Sequence, residues 1–205
     1  YAPPGQKLCH LKPFLRRTEA TYRAQTGRGI ISVGMMRARD KLPSYQLIAA
    51  TLHHLSTGDW NLSIVGDGPE RGAVETLMQP FGGKVRFLGA LDEADLCNAY
   101  RSAAIFLWPG VNEAIGMTYL EAQAESLAVV AQDRPGLRDV LPQGHHPTPE
   151  EGSAALARRL DDLLQDPQLL ETEGRAAYDN LVQHHLLPQA ADTLKSGLAE
   201  LGVTA

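Results

Sequence analysis

Two carboxylates, Glu113 and Glu121, stand eight positions apart in Pro109-Gly-Val-Asn-Glu-Ala-Ile-Gly-Met-Thr-Tyr-Leu-Glu121 and flank Gly116. The run Ala-Ala-Ile-Phe-Leu-Trp at 103–108 is apolar and is ended by Pro109 and Gly110, whereas from Met117 the pattern is helical, with Leu120 and Ala124 on the face of Met117. A buried strand therefore hands over, through this loop, to the start of a helix. Unpaired amides around Gly116, Met117 and Thr118, with the positive end of the macrodipole, favour a phosphate there. Glu121 lies about 7 Å further along the axis, and its side chain leans back toward the N-terminus. A carboxylate so placed can accept hydrogen bonds from two hydroxyls of a ribose whose diphosphate rests on the helix end, while Glu113 faces a sugar beyond it. Taken by themselves, Glu121 could equally be a surface carboxylate that the dipole welcomes and Glu113 a cap of the following helix.

The elements that must position this segment are legible as an alternation. Short β-branched or apolar runs at 29–33, 61–65, 85–88, 104–107 and 128–131 alternate with helical patterns at 44–55, 70–81, 93–102 and 117–125. That pattern predicts an α/β fold, a doubly wound, Rossmann-like parallel sheet covered on both faces. In such sheets ligands sit beyond the carboxyl ends of the strands where the strand order reverses, so the loops to read are 34–42, 66–69, 89–92, 108–116 and 132–136. After Val140 a connector at 142–149 leads into extra C-terminal helices. Thr148-Pro149-Glu150-Glu151 reads as a capping box with proline at the first helical position, predicting a helix to Leu164. Asp166-Pro167 starts a second that continues toward His185, and Leu187-Pro188 opens a last amphipathic stretch to Leu201. The expected organisation is a linker and domain start at 1–28, the ligand-binding domain at 29–185 and a C-terminal helix at 186–205.

Composition sets limits around this plan. A chain of 205 residues can bury one full core plus an appendage, at about 150 residues per domain. A net charge of −5 argues against the broad basic footprint that nucleic acid demands. No apolar run approaches the ~20 residues that cross a bilayer, and the start lacks the layout of a signal peptide, so a soluble, cytoplasmic protein is expected. Cys9 and Cys97 suggest neither a disulfide framework nor a thiolate metal site, which suits a reducing compartment. The histidines come as neighbours, His53-His54, His145-His146 and His184-His185. Adjacent helical side chains point about 100° apart, so these are read as surface or linker residues. Asp92-Glu-Ala-Asp95 spells a helicase label without the phosphate loop that should accompany it, and is read as a helix start. Gly66-Asp-Gly68 lacks the third glycine of a dinucleotide fingerprint. Tyr1 opens a stretch of linker character, and the chain is expected to be part of something longer.

Ser63-Ile-Val-Gly-Asp-Gly-Pro69, then Val85-Arg-Phe-Leu-Gly89, then Trp108-Pro-Gly-Val-Asn-Glu113-Ala-Ile-Gly116 with Leu120-Glu121-Ala122 resemble the C-terminal, donor-binding half of the group 1 retaining glycosyltransferases, enzymes of two-domain GT-B architecture. The resemblance runs in consistent order over roughly 29–140, and its most specific element is the pair of glutamates with seven residues between them. It implies transfer of a sugar from a nucleoside diphosphate sugar, of the UDP- or GDP-sugar kind, with retention at the anomeric carbon. No cofactor or metal is required, and the metal-binding pair of aspartates separated by a single intervening residue is absent from the sequence. The partners implied are the nucleotide sugar and an acceptor-binding N-terminal domain not on this chain, toward which the last helix would pack. Any peripheral membrane association would come only through that half, and the isolated domain should bind donor but transfer poorly.

The sequence also departs from the family pattern. Ser126 and Ala128 stand where a glycine and a proline are usual, and Ile115 stands where a larger apolar or aromatic residue is usual. After Val140, Gln143-Gly-His-His-Pro147 replaces a glycine-flanked apolar strand, and Met35 and Met36 occupy the place where the family's arginine commonly follows the first strand. By the resemblance, Arg37 and Lys41 would counter charge building on the departing diphosphate, with Lys41 the closer match; the same residues standing alone read as a solvated loop. Glu113 would orient the transferred sugar or support the positive charge at its anomeric carbon. Gly68, Leu88, Ala114, Ile115, Gly116, Met117, Thr118 and Glu121 complete the expected donor contacts, although turn chemistry at Gly68 and core packing at Leu88 explain those two as well. Glu121 is expected to be a permanently ionised acceptor. A glycosidase pair about 5 Å apart finds no other support in the chain. The alternatives are a non-catalytic nucleotide-sugar-binding or scaffold module and a sugar-nucleotide epimerase of the same architecture.

Overall fold

Five short segments rich in β-branched and apolar residues line up side by side in the computed structural model, which describes residues 8–25 and 27–202. They are β1 (Gly29–Val33), β2 (Asn61–Val65), β3 (Val85–Gly89), β4 (Ile105–Leu107) and β5 (Ala128–Val130). All pair in parallel, in the order β3-β2-β1-β4-β5. Strands β1, β4 and β5 carry apolar side chains on both faces: Ile30, Ile31, Ile105, Phe106, Leu107, Ala128 and Val130 are all buried. A strand of that kind needs helices above and below it. Ser32 is the polar exception in β1, and its hydroxyl donates to the Leu107 carbonyl at 2.7 Å, which satisfies the buried group.

The helices are α1 (Leu42–His53), α2 (Arg71–Met78), α3 (Glu93–Arg101), α4 (Met117–Ala124), α5 (Gly152–Gln165), α6 (Pro167–His184) and α7 (Leu187–Glu200). Right-handed crossovers place α1 and α2 on one face, where they pack together, and α3 and α4 on the other. Helix α5 then packs on α1, while α6 lies against α4 and β5. The expected strands and helices are all present, with ends shifted by no more than a few residues. The capping box forms, Thr148 receiving from the backbone and the Glu151 carboxylate accepting from the Thr148 amide at 2.7 Å, but its first turn is a 3₁₀ turn, Pro149–Glu151, ahead of α5.

The strand order reverses between β1 and β4, and the loops that leave their carboxyl ends meet there. Glycines let these loops approach one another. Gly66, at φ 128°, follows β2, and a β-carbon built on it would lie 2.0 Å from the carbonyl oxygen of Gly34. No side chain fits that gap, and the amide of Gly34 donates to Val65 at 3.0 Å across the same seam. Gly66→Ala is therefore expected to cost about 3 kcal/mol of unfolding free energy, the sum of an unfavourable φ and an overpacked seam. Urea denaturation of the variant would read that loss as a lowered midpoint at unchanged slope.

In keeping with its reading as a connector, the 142–148 stretch adds no sixth strand after β5 among the described residues, and it folds back so that the Asp133 amide donates to Pro147 at 2.9 Å. The described residues before the sheet form no strand of it, but they are tied down. Leu15 makes an isolated parallel bridge with Leu186, its amide donates to His185 at 2.8 Å, and Tyr178 of α6 donates to the Ala20 carbonyl at 3.1 Å. His185 is consequently not a surface residue. Its ring is buried and pairs through Nδ1 with the Pro13 carbonyl at 2.7 Å, closing α6 onto the N-terminal segment. His53, His54, His145 and His184 are exposed, while His146 is half-buried, with Nε2 2.9 Å from the Pro142 carbonyl.

Candidate functional site

A cavity of about 700 Å³ opens beyond the carboxyl ends of β1 and β2, with Val33 and Val65 at its base. Its walls come from the loop after β1 (Gly34, Met35, Arg37, Lys41), the loop after β2 (Gly66, Asp67), the loop after β3 (Ala90, Leu91), Leu96 of α3, and the β4–α4 segment (Glu113, Ile115, Gly116, Met117, Thr118, Glu121). The cavity thus sits at the reversal of strand order, where an open parallel sheet offers its natural crevice.

Each wall is fixed by a local device. Trp108, at the end of β4, is fully buried and packs edge-on to Tyr45 of α1 at 5.1 Å between centroids. Its ring leaves room only for a glycine at position 34, since a β-carbon there would fall 2.7 Å from the indole. The Tyr45 hydroxyl donates to the Gly34 carbonyl at 2.6 Å, so the loop after β1 is pinned from α1 as well. Asn112, at φ 58°, bridges the two facing loops by donating to the Arg39 carbonyl at 3.2 Å. The hydroxyl of Ser44 accepts from the Val111 amide at 3.0 Å.

Gly116 caps α4 in the left-handed region, φ 75°, with no side-chain cap. A β-carbon at that position would meet the Tyr119 ring at 2.7 Å, and Tyr119 itself is held by donating to the Trp108 carbonyl at 2.7 Å. A first helical turn has no intrahelical acceptors for its amides. Met117 and Thr118, both on the cavity wall, therefore bring an amide-rich, electropositive helix end to it.

The charged side chains form pairs. Lys41 Nζ lies 2.6 Å from Glu113 Oε2, with only 13% and 15% of the two side chains exposed. Trp108 Nε1 donates to the same oxygen at 3.3 Å, and the ammonium stands 5.8 Å from the indole centroid. Arg37 is more exposed and pairs with Asp40. Asp67 accepts from the Gly68 amide at 2.7 Å and from Arg71 at 2.8 Å, and these hydrogen bonds hold its carboxyl below the usual range.

The Glu121 carboxyl is partly buried at the cavity wall. Burial pushes its pKa up, the Tyr100 hydroxyl that donates to Oε2 at 3.0 Å and the nearby Arg17 charge pull it back, and Glu93 adds to the rise. One turn on, Glu125 behaves differently. Burial raises it, but hydrogen bonds from Arg101, Cys97 and Arg17 together bring it below the ordinary glutamate value.

Of the residues singled out by sequence, Arg37, Lys41, Glu113, Ile115, Gly116, Met117, Thr118 and Glu121 share this one cavity. Gly68, Leu88 and Ala114 do not line it. Gly68 is spent on the turn, where a β-carbon would fall 2.4 Å from the Met36 carbonyl, and Leu88 packs on the core. Asp67 takes the place of the first, Ala90 and Leu91 that of the second, and Ala114 is turned outward to solvent. Met35, Leu96 and Tyr100 were not anticipated. The usable signal for the last two was their spacing of four on α3, which puts both on one helical face. Among the described residues no cluster of three or more histidine, cysteine, aspartate or glutamate side chains could hold a metal ion, and no helix is long and apolar enough to cross a membrane.

Comparison with known proteins accords with this geometry. The model of the family described as glycosyl transferases group 1 matches residues 27–166. A phosphatidyl-myo-inositol mannosyltransferase of Mycobacterium leprae (strain TN) is 40% identical over 119 residues, which is 55% of this chain and 31% of that relative. The sulfoquinovosyl transferase SQD2 of Arabidopsis thaliana is 27% identical over 179 residues, 80% of this chain and 33% of its own length. The chain thus spans about a third of these relatives. Among solved structures, a mutant of TarM from S. aureus in complex with fondaparinux, alpha-GlcNAc-glycerol and UDP superposes with a TM-score of 0.74 at 15% identity, covering 93% of this chain and 38% of that one.

Proposed function

The chain belongs to the glycosyl transferases group 1 family, and from that premise we propose that it is the donor-binding domain of a retaining glycosyltransferase that takes a sugar from a nucleoside diphosphate sugar. The observation that carries this reading is the convergence of Glu113, Lys41, the amide-rich start of α4 and Glu121 on one cavity at the reversal of strand order. The diphosphate rests on the α4 terminus and Lys41, the ribose on Glu121, and the base against Ala90 and Leu91. Glu113 faces the transferred sugar. The presence of UDP in the TarM complex supports a donor of that chemical class. Lys41 and Glu113 are paired at 2.6 Å, and the donor's diphosphate would draw the ammonium toward itself and free the carboxylate to address the sugar.

The acceptor side is assigned to a preceding domain, in keeping with the third of each relative that this chain spans. Helix α7 and the turn after it expose Leu194, Leu198 and Leu201, and this apolar edge is proposed to pack on that domain. Calorimetric titration of the chain with UDP, GDP, ADP and their hexose conjugates tests the donor assignment. At least one diphosphate should bind at micromolar concentration, and the nucleoside without phosphates should bind at least tenfold more weakly, by the usual worth of charge-assisted contacts. Absence of binding by every diphosphate would refute the reading.

A further inference from the structure

The carboxylate of Glu121 stands between two cavities. It lines the large one and also a smaller one of about 220 Å³, whose walls include Arg17, Glu93, Leu96, Tyr100 and Glu125. Tyr100 lines the smaller cavity and not the donor cleft. Its ring is 2% exposed and is steadied from beneath by Phe106 of β4, at 6.2 Å between centroids. Its hydroxyl lies 3.0 Å from Glu121 Oε2 and 3.4 Å from the Thr118 carbonyl, on the first turn of the same helix. An ionised carboxylate only accepts hydrogen bonds, so the phenol is the donor. Among the described residues the other oxygen, Oε1, has no side-chain partner.

We infer that Tyr100 is a positioning residue for the donor's ribose: by tethering Oε2 of Glu121 from behind, it presents Oε1 to the ribose hydroxyls before the donor arrives. The inference rests on the donor-site reading given above. Glutamate is among the side chains with most rotamer freedom to lose on ordering. A carboxylate already fixed by a buried phenol has lost that freedom during folding, so ligand binding need not supply the cost again. The arrangement is also selective. A tethered carboxylate with one oxygen aimed at the pentose favours ribose over a sugar without hydroxyls at those positions, because the latter would leave Oε1 desolvated and unmatched.

The test compares wild type and Tyr100→Phe by calorimetry, using UDP and GDP beside their 2′,3′-dideoxy forms. Tyr100→Phe should weaken binding of the ribose form about tenfold, the ordinary worth of one hydrogen bond to a charged group, and should leave the dideoxy form unchanged. In a Glu121→Gln background, Tyr100→Phe should cost much less than in the wild-type background, since the two groups act as one. The pH profile supplies a second readout. Ribose-form affinity should fall as pH drops through the pKa of Glu121, which burial has raised and which Arg17, Glu93 and Tyr100 also tune. A donated hydrogen bond favours the ionised form, so its loss moves the acid limb of the profile to higher pH, and the dideoxy profile, which carries only the titration of the phosphates, stays put.

Equal weakening of ribose and dideoxy forms with an unshifted acid limb would mark Tyr100 as a packing residue and overturn the inference, as would no weakening at all. Thermal melts of each variant identify any loss due to unfolding, and the Glu121→Gln cycle still reports the coupling if the single phenylalanine variant is less stable. Failure of wild type to bind any of the diphosphates would instead overturn the donor-site reading, and this inference with it.

Discussion

Replacing Lys41 by alanine is expected to weaken nucleoside-diphosphate binding by this domain about 100-fold and to lower the transfer rate of the full-length protein by a further factor of about 100. Two effects act in the same direction. The first is loss of a fixed cation aimed at a diphosphate on which charge grows as the glycosidic bond breaks; preorganised groups of that kind are each worth about 10²–10³ in rate. The second is the partner left behind. Glu113 keeps only the indole donor of Trp108, at 3.3 Å, and with 15% of its side chain exposed it cannot recover full hydration. Its unpaired negative charge then faces the phosphates directly. Breaking a fully buried pair costs about 3–5 kcal/mol of stability; the residual exposure here lowers the expected figure to about 2 kcal/mol. Lys41→Arg should recover part of the affinity, because charge is kept while the short ammonium contact is not. Calorimetry on the domain, denaturant melts, and a transfer assay on the full-length protein separate the three contributions. Wild-type affinity in Lys41→Ala would remove Lys41 from the donor site.

The same pair shows what the sequence could and could not reveal. Glu113 and Glu121 were visible because they fall in one continuous stretch, where a strand-ending Pro109-Gly110 and a helix-starting Gly116 set their geometry through local rules alone. The strands were visible for the same reason: Ile30, Ile31, Ile105 and Phe106 make short runs that only a doubly covered sheet can bury. Contacts between distant segments carry no such periodic mark. Lys41 and Glu113 are separated by 72 positions, and Tyr100 and Glu121 by 21. Each residue read alone was an ordinary loop cation, helix residue or surface acid. Arg37 was legible as a loop arginine, yet its pairing with Asp40 is a three-residue choice between solvent and neighbour that propensity does not decide.

The N-terminal segment, with the prolines and mixed charge of a linker, carried no sign of its docking: Leu15 is buried and His185 closes over the Pro13 carbonyl, a tie spanning 172 positions. The sequence pointed to the loops after β2 and β3 without ranking the residues within them: Gly68 and Leu88 serve the turn and the core, while Asp67, Ala90 and Leu91 reach the cavity. A shift of one residue in a strand turns a side chain to the opposite face, and in these loops shifts of one to three residues separate lining from packing.

Glu121→Ala is the complementary experiment, because it should abolish recognition while sparing the fold. Its side chain belongs to no part of the hydrophobic core, and α4 keeps its buried face of Tyr119, Leu120, Ala122 and Ala124. Alanine is also the better helix former. The group left without its partner is the Tyr100 hydroxyl, which still has the Thr118 carbonyl at 3.4 Å and a cavity of about 220 Å³ beside it, room enough for water. The melting temperature should therefore move by no more than about 2–4 °C, the shift expected for ~1 kcal/mol in a domain of this size. Binding should suffer far more. Two ribose hydroxyls lose a charged acceptor, each bond worth about 1.5–3 kcal/mol when one partner is ionised. Partial replacement by water brings the net loss to about 3 kcal/mol, or roughly 100-fold in Kd. The loss should be confined to ligands that carry the ribose, and inorganic pyrophosphate, which needs only the α4 terminus and Lys41, should compete for the cleft equally well in both proteins. A variant that melts like wild type, binds pyrophosphate like wild type and has lost the nucleoside diphosphate would tie Glu121 to the pentose. Unchanged nucleoside-diphosphate affinity would instead leave the glutamate as a helix carboxylate without a ligand and return the donor site to the phosphate end alone.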